Sequence, residues 1–321
     1  MASPNLGELA TVTLRNRRGK LADNVLNHNA LLRYLNRAGN ADPADGGRTI
    51  IEELEYASNS TFKYYSGYET LDITPQTVFD AAEYNWKQAA VVVSFSGLEE
   101  RQNMGKEQSI KLVDRRIRNA EKTMQNNLST GVYSDGTGTS GKQIGGLQLL
   151  VADDPTTGTV GSISRATYSF WQNQLYDFSV NSVTPSSSTI QTAMDSIWLS
   201  CIRGADAPKI FVAGTTYFTY FWQSLTTIQR ISSDTSATSG FRELAFNGPG
   251  GTAMVMYDAS CSATRMYCLN TDYLFWRPHP SANIEQLDRR QSVNQDATVI
   301  PIIFMGNLTM SNAQRQGVII A

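Results

Sequence analysis

Between Gly105 and Leu128 the apolar residues Ile110, Val113, Ile117, Ala120, Met124 and Leu128 recur at intervals of three and four, while Lys111, Asp114, Arg115, Arg118 and Glu121 fall off that stripe. The pattern predicts an amphipathic helix of about 23 residues, a rod of roughly 35 Å that packs along one stripe only. Upstream, Leu21, Val25, Leu32 and Leu35 fall near one face, but Asn24, Asn27 and Asn29 are poor helix formers. The segment up to Gly47 reads as an arm with partial helicity, ending in the hinge signal Ala44-Asp45-Gly46-Gly47.

From Arg48 to Gln88 strand formers and aromatics dominate: Phe62, Tyr64, Tyr65, Tyr68 and Phe79, interrupted by Ser66-Gly67 and Thr74-Pro75. A hairpin of two strands of about 15 residues would reach about 50 Å, against a radius of gyration near 20 Å for a compact domain of this length. A two-stranded ribbon is marginal alone in water. Its aromatic side chains are therefore expected to bury against a neighbouring subunit.

After Leu128, the stretch from Tyr133 to Gly141 has the composition of a flexible loop and marks a domain boundary. Beyond it the pattern predicts an α/β region: a helix from Ser188 to Ile202, a buried strand from Lys209 to Val212 and a helix from Thr216 to Leu225. The last third predicts strands at Ala253 to Tyr257, Arg265 to Leu269, Tyr273 to Trp276, Thr298 to Met305 and Leu308 to Met310. No solenoid-type repeat is present.

A chain of 321 residues fits one large domain or two small ones. Charged residues make up 17% of it, below the about 25% usual for soluble domains. Uncharged polar side chains fill the gap, and they are less costly to bury in subunit contacts than ions. A net charge of −2 gives no global field for holding nucleic acid. Cys201, Cys261 and Cys268 are too widely spaced for a zinc site or a disulfide framework. The strongly apolar stretch Val299 to Met305 is too short to span a bilayer and contains Pro301, so no membrane role is expected. A reducing cytoplasm is the expected place of synthesis.

Candidate chemistry is sparse. Gly136 to Lys142 satisfies the phosphate-loop spacing G-x-x-x-x-G-K, but Gln143 stands where a magnesium-ligating hydroxyl is needed, and a helix precedes where a strand should. The two histidines, His28 and His279, support neither a triad nor a metal cage, and no G-x-S-x-G elbow is present. His279 fits the end of a strand. The acidic clusters Glu52-Glu53-Glu55 and Glu99-Glu100 read as solvated or interface charge. The basic run Arg15, Arg17, Arg18 and Lys20 is a candidate contact for nucleic acid or an acidic neighbour, or an exposed arm with no specific partner. No catalytic, cofactor-binding or metal-binding residue is expected.

The stretches Gly46-Gly-Arg-Thr-Ile50, Tyr65-Ser-Gly-Tyr-Glu-Thr70, Asn119-Ala-Glu-Lys-Thr-Met124, Gln143-Ile-Gly-Gly-Leu-Gln148 and Gly306-Asn-Leu-Thr-Met-Ser-Asn312 resemble, in order and spacing, major capsid proteins of tailed bacteriophages with the Hong Kong 97-like fold. The resemblance implies an α+β chain divided into an N-terminal arm (1–47), an extended β-hairpin loop, the E-loop (48–96), a peripheral domain with its long spine helix (97–135), an α/β axial domain (136–264) and strands returning to the peripheral domain (265–321). The implied function is self-assembly into an icosahedral head shell around the packaged genome. Partners would be copies of the chain in hexamers and pentamers, scaffolding and portal proteins, and double-stranded DNA on the inner face. The implied location is the virion, with assembly in the host cytoplasm.

Inter-subunit contacts are expected at Phe62, Lys63, Tyr64, Tyr65, Tyr68, Arg48 and Glu52. Some relatives join a loop lysine to a neighbour's asparagine. Lys63 is placed for this, but no motif here assigns the asparagine or a catalytic glutamate. No long charged leader is present, so scaffolding is expected to be a separate protein or a removed segment. The alternatives are an encapsulin compartment of the same fold, a nucleotide-binding enzyme centred on Lys142, and another virion or tail component.

Overall fold

The computed structural model describes residues 28–44, 46–102, 106–225, 243–288, 290–291 and 295–321, with 100–102, 106–114, 243 and 286 described by backbone alone. The basic run Arg15 to Lys20, with Leu21 and Val25, lies outside the described residues. Helix α1 (Ala30–Arg37) is capped by Asn29, whose Oδ1 accepts from the Leu32 amide at 3.1 Å, and it buries Leu31, Leu32 and Leu35. The chain then turns at Gly46 and Gly47, with φ of +95° and +99°. That is left-handed backbone, which glycine enters without a Cβ penalty.

Strand β1 (Ile50–Glu55) pairs antiparallel with β2 (Phe79–Tyr84), Ile50 facing Tyr84 and Glu55 facing Phe79. The ladder is six residues long, which corrects the expectation of about fifteen. Between the strands, side chains offer the backbone other partners: Asn59 Oδ1 accepts from the Thr61 amide at 2.9 Å, and Asp72 Oδ1 from the Thr74 amide at 3.0 Å. Such local turns compete with a ladder, and Pro75 has no N–H to contribute.

Strand β3 (Lys87–Ser96) leads through the short α2 (Gly97–Gln102) into α3 (Lys106–Gly131). In α3 the side chains of Ile117, Ala120, Met124 and Leu128 are buried, as the apolar periodicity predicts. The stretch with phosphate-loop spacing is a closed turn, with Gly141 N donating to Thr137 O at 2.9 Å and Gln143 N to Gly138 O at 3.2 Å. It joins α3 to the single turn Leu147–Leu150, so no strand feeds it.

Next come the small hairpin β4 (Thr159–Val160) and β5 (Ile163–Ser164), then β6 (Gln174–Asp177), α4 (Ile190–Cys201), β7 (Ile210–Ala213), α5 (Thr215–Ser224), β8 (Glu243–Gly248) and β9 (Gly251–Tyr257). The chain closes with β10 (Met266–Leu269), β11 (Leu274–Pro278), β12 (Glu285–Gln286), β13 (Arg290–Gln291), β14 (Ala297–Met310) and β15 (Gly317–Ile320). His279, at the end of β11, accepts from the Ser281 amide through Nδ1 at 3.1 Å.

One mixed sheet has the order β6-β15-β10-β7-β9-β8. It separates two apolar cores. Along β7, Phe211 and Ala213 join the core under α4 and α5, while Ile210 and Val212 join the core that contains the stripe of α3. The period of two in strand side chains does this, and it makes β7 apolar at every position. The second sheet is built on β14, which replaces the two strands predicted for that stretch. Its first ten residues pair with β3 and its last five with β11. At the changeover Gly306 passes so close to β11 that a Cβ there would lie 2.8 Å from Arg277 O. Two strands within 265–321 sit in the first sheet, β10 beside β7 and β15 between β10 and β6, and β11 to β14 in the second.

Candidate assembly surfaces

The β1–β2 ribbon is held by its inner face. Glu52 is only 5% exposed, and both its oxygens are taken by Arg277, at 2.9 Å from Nε and 3.2 Å from Nη2. Thr309 Oγ1 adds a third bond at 2.7 Å, and Asp42 holds the far side of the guanidinium at 2.8 Å. These hydrogen bonds raise the Arg277 pKa above its ordinary value. Glu52, expected at a subunit contact, is therefore an internal anchor, because a carboxylate so placed has no free face to offer a neighbour.

Tyr84 donates its hydroxyl to Met310 O at 2.8 Å, and burial raises its pKa well above the usual phenol range. Gly161 carries φ +57° and approaches so closely that a Cβ would sit 2.8 Å from the Ala82 Cβ. Where the ladder stops, Tyr56 stacks on Phe170 with ring centroids 5.1 Å apart.

Beyond Tyr56 the side chains turn outward. Tyr68 is fully exposed, Tyr64 and Ile73 91%, Phe62 75% and Tyr65 62%. Phe62 and Tyr64 meet edge to face at 5.3 Å. Lys63 lies 3.7 Å from Glu69 and donates to Thr70 O. Arg48 is exposed near the foot of the ribbon. The structure thus brings Phe62, Lys63, Tyr64, Tyr65 and Tyr68 onto one protruding segment, 57–78, and leaves Glu52 behind in the core. The alternation of buried and exposed positions along β1 could have shown this, because Ile50, Glu52 and Leu54 share a face.

A second surface is the groove of about 540 Å³ between α3 and the β3–β14 ladder, lined by Val92, Phe95, Glu99, Arg116, Asn119 and Val299 among others. Arg116 donates to Glu99 Oε1 at 2.6 Å and lies 5.4 Å from the Phe95 ring centroid. This bond holds the Glu99 carboxyl below its ordinary pKa. The three cysteines are buried, and burial pushes the Cys261 thiol up to about 12, far from a reactive thiolate. Among the described residues no group of His, Cys, Asp and Glu could hold a metal ion, and no helix is long and apolar enough to cross a membrane.

No protein-family model matches the chain, and no curated protein does. Solved structures do. The chain is similar to a subunit of the cyanophage A-1(L) capsid, with TM-score 0.60 and 14% identity over 89% of this chain and 92% of that one. The capsid of Myoviridae phage XM1 follows with TM-score 0.56 and 10% identity over 89% and 91% of the two chains. The holo-SrpI encapsulin of Synechococcus elongatus gives TM-score 0.53 and 13% identity over 90% and 86%. Identities this low carry the architecture alone. This α+β chain has the fold of phage capsid proteins, one that an encapsulin also shares.

Proposed function

We propose that the chain is the major capsid protein of a tailed bacteriophage, a structural subunit with the Hong Kong 97-like fold that self-assembles into an icosahedral shell around packaged double-stranded DNA. The observation that carries this reading is segment 57–78: its large apolar side chains stand in solvent on a capsid-type fold. Large apolar side chains exposed together on one segment mark a contact surface. In this reading residues 1–47 are the arm, 48–96 the E-loop that overlaps the adjacent subunit, 97–135 the peripheral segment with α3 as its spine helix, 136–264 the axial domain, whose sheet β10 and β15 also join, and the rest of 265–321 the returning strands. Phe62, Lys63, Tyr64, Tyr65, Tyr68 and Arg48 contact a neighbour. Scaffolding and portal proteins are partners during assembly in the host cytoplasm, and the mature location is the virion.

Negative-stain microscopy of the expressed chain, with and without a co-expressed scaffold, tests the proposal: closed shells are expected, and only monomers or small fixed oligomers under every condition would refute it. The likeness to an encapsulin supports a second reading, a cargo compartment. Particles that enclose a co-purifying enzyme in place of DNA would favour it.

A further inference from the structure

The exposed face of α3 differs in kind from the other surfaces described above. From residue 115 to 131 its exposed side chains are Arg115, Arg118, Asn119, Lys122, Asn126, Asn127 and Thr130. None is apolar and none is acidic. Arg115, Arg118 and Lys122 stand three and four residues apart, so they form one row that covers about 10 Å of helix axis. The sole carboxylate in this stretch, Glu121, is half-buried. Arg116 is turned away from the row, toward Glu99 and Ser94. The chain as a whole carries a net charge of −2, so this row is a local reversal of sign.

We propose that this face of α3 is a contact surface for the phosphate backbone of nucleic acid. Two observations favour a polyanion over a second protein surface. Protein interfaces centre on apolar and aromatic anchors, and this face has no such anchor among its described residues. Cations interspersed with amide and hydroxyl groups are instead the side chains that position a protein on phosphates without reading sequence. The competing occupant is the acidic outer face of a second copy's ribbon, where Glu53, Glu55 and Glu83 are exposed. The inference relies on the shell reading only for where nucleic acid would be met, the inner face of the particle.

The test titrates a short DNA duplex into the purified, unassembled full chain across a salt series, using wild type and the triple variant R115Q/R118Q/K122Q. Each neutralised phosphate contributes about 0.9 to the slope of log affinity against log salt. The triple variant should lose up to about 2.7 from that slope, so wild type should weaken roughly 40-fold more than the variant between about 50 and 200 mM salt. Its unfolding midpoint should not move, and R115K/R118K should keep the wild-type slope. A separate R15Q/R17Q/R18Q/K20Q variant measures any share taken by the basic run.

Absence of DNA binding by wild type overturns the proposal, as does an unchanged slope in a folded triple variant. Normal DNA binding by a triple variant that no longer forms particles also overturns it, and makes the face a protein interface. A slope loss in a chain that never forms shells sustains this inference while refuting the shell reading, so the two failures are distinguishable.

Discussion

Arg277 holds both oxygens of Glu52, at 2.9 and 3.2 Å, and so ties β11 to β1 beneath the protruding ribbon. Removing one partner of a buried pair leaves an uncompensated charge, at a cost of about 3–5 kcal/mol. Arg277→Ala should therefore lower the denaturant midpoint strongly, whereas E52Q/R277M, which leaves no orphaned charge, should recover much of the loss. A single R277A variant within about 0.5 kcal/mol of wild type, the range of an ordinary surface change, would show that the pair does not anchor the ribbon.

The Glu99–Arg116 bond carries a pH dependence with a definite sign. The folded-state pKa of Glu99 lies below its ordinary value of 4.5. Its contribution is thus fully present above that value and is lost as pH falls through the lower folded value. Acid unfolding of wild type should be steeper below about pH 4.5 than that of Glu99→Gln. Superimposable pH–stability curves would exclude the linkage.

Gly161→Ala places a methyl group 2.8 Å from the Ala82 Cβ at a backbone φ of +57°. The left-handed conformation costs about 1–2 kcal/mol and the overpacking about 1–3 kcal/mol. Calorimetry should register a clear fall in the melting temperature, and amides of β2 should exchange faster with solvent. Wild-type protection in the variant would mean that the β4–β5 turn does not brace the ribbon.

The aromatic residues of segment 57–78 should matter to assembly and not to the subunit. Because Phe62, Tyr64, Tyr65 and Tyr68 are exposed, each substitution in the variant F62S/Y64S/Y65S/Y68S should shift unfolding by no more than about 0.5 kcal/mol, and the four together by no more than about 2 kcal/mol. The subunit concentration needed for particles should rise tenfold or more, read by light scattering. Unimpaired assembly would remove this segment from the contact surface.

The sequence by itself determined what depends on neighbours along the chain. The stripe Ile117, Ala120, Met124 and Leu128 is buried in α3 as its spacing requires, and α4, α5 and β7 lie within two residues of their predicted bounds. The aromatic, outward-facing character of Phe62 to Tyr68 was legible from a surplus of apolar side chains between turn signals. Tertiary structure decided the rest. The alternation in β1 puts Glu52 on the face of Ile50 and Leu54, but the partners that hold a carboxylate there, Arg277 and Thr309, stand 225 and 257 residues away. β10 and β15 entered the sheet of β7, and β14 ran unbroken through Gly306, because of ladders with distant strands. Helical periodicity records contacts made by residues a few positions apart, whereas strand partners and buried charge pairs are chosen across the whole chain. No local pattern of side chains encodes that choice.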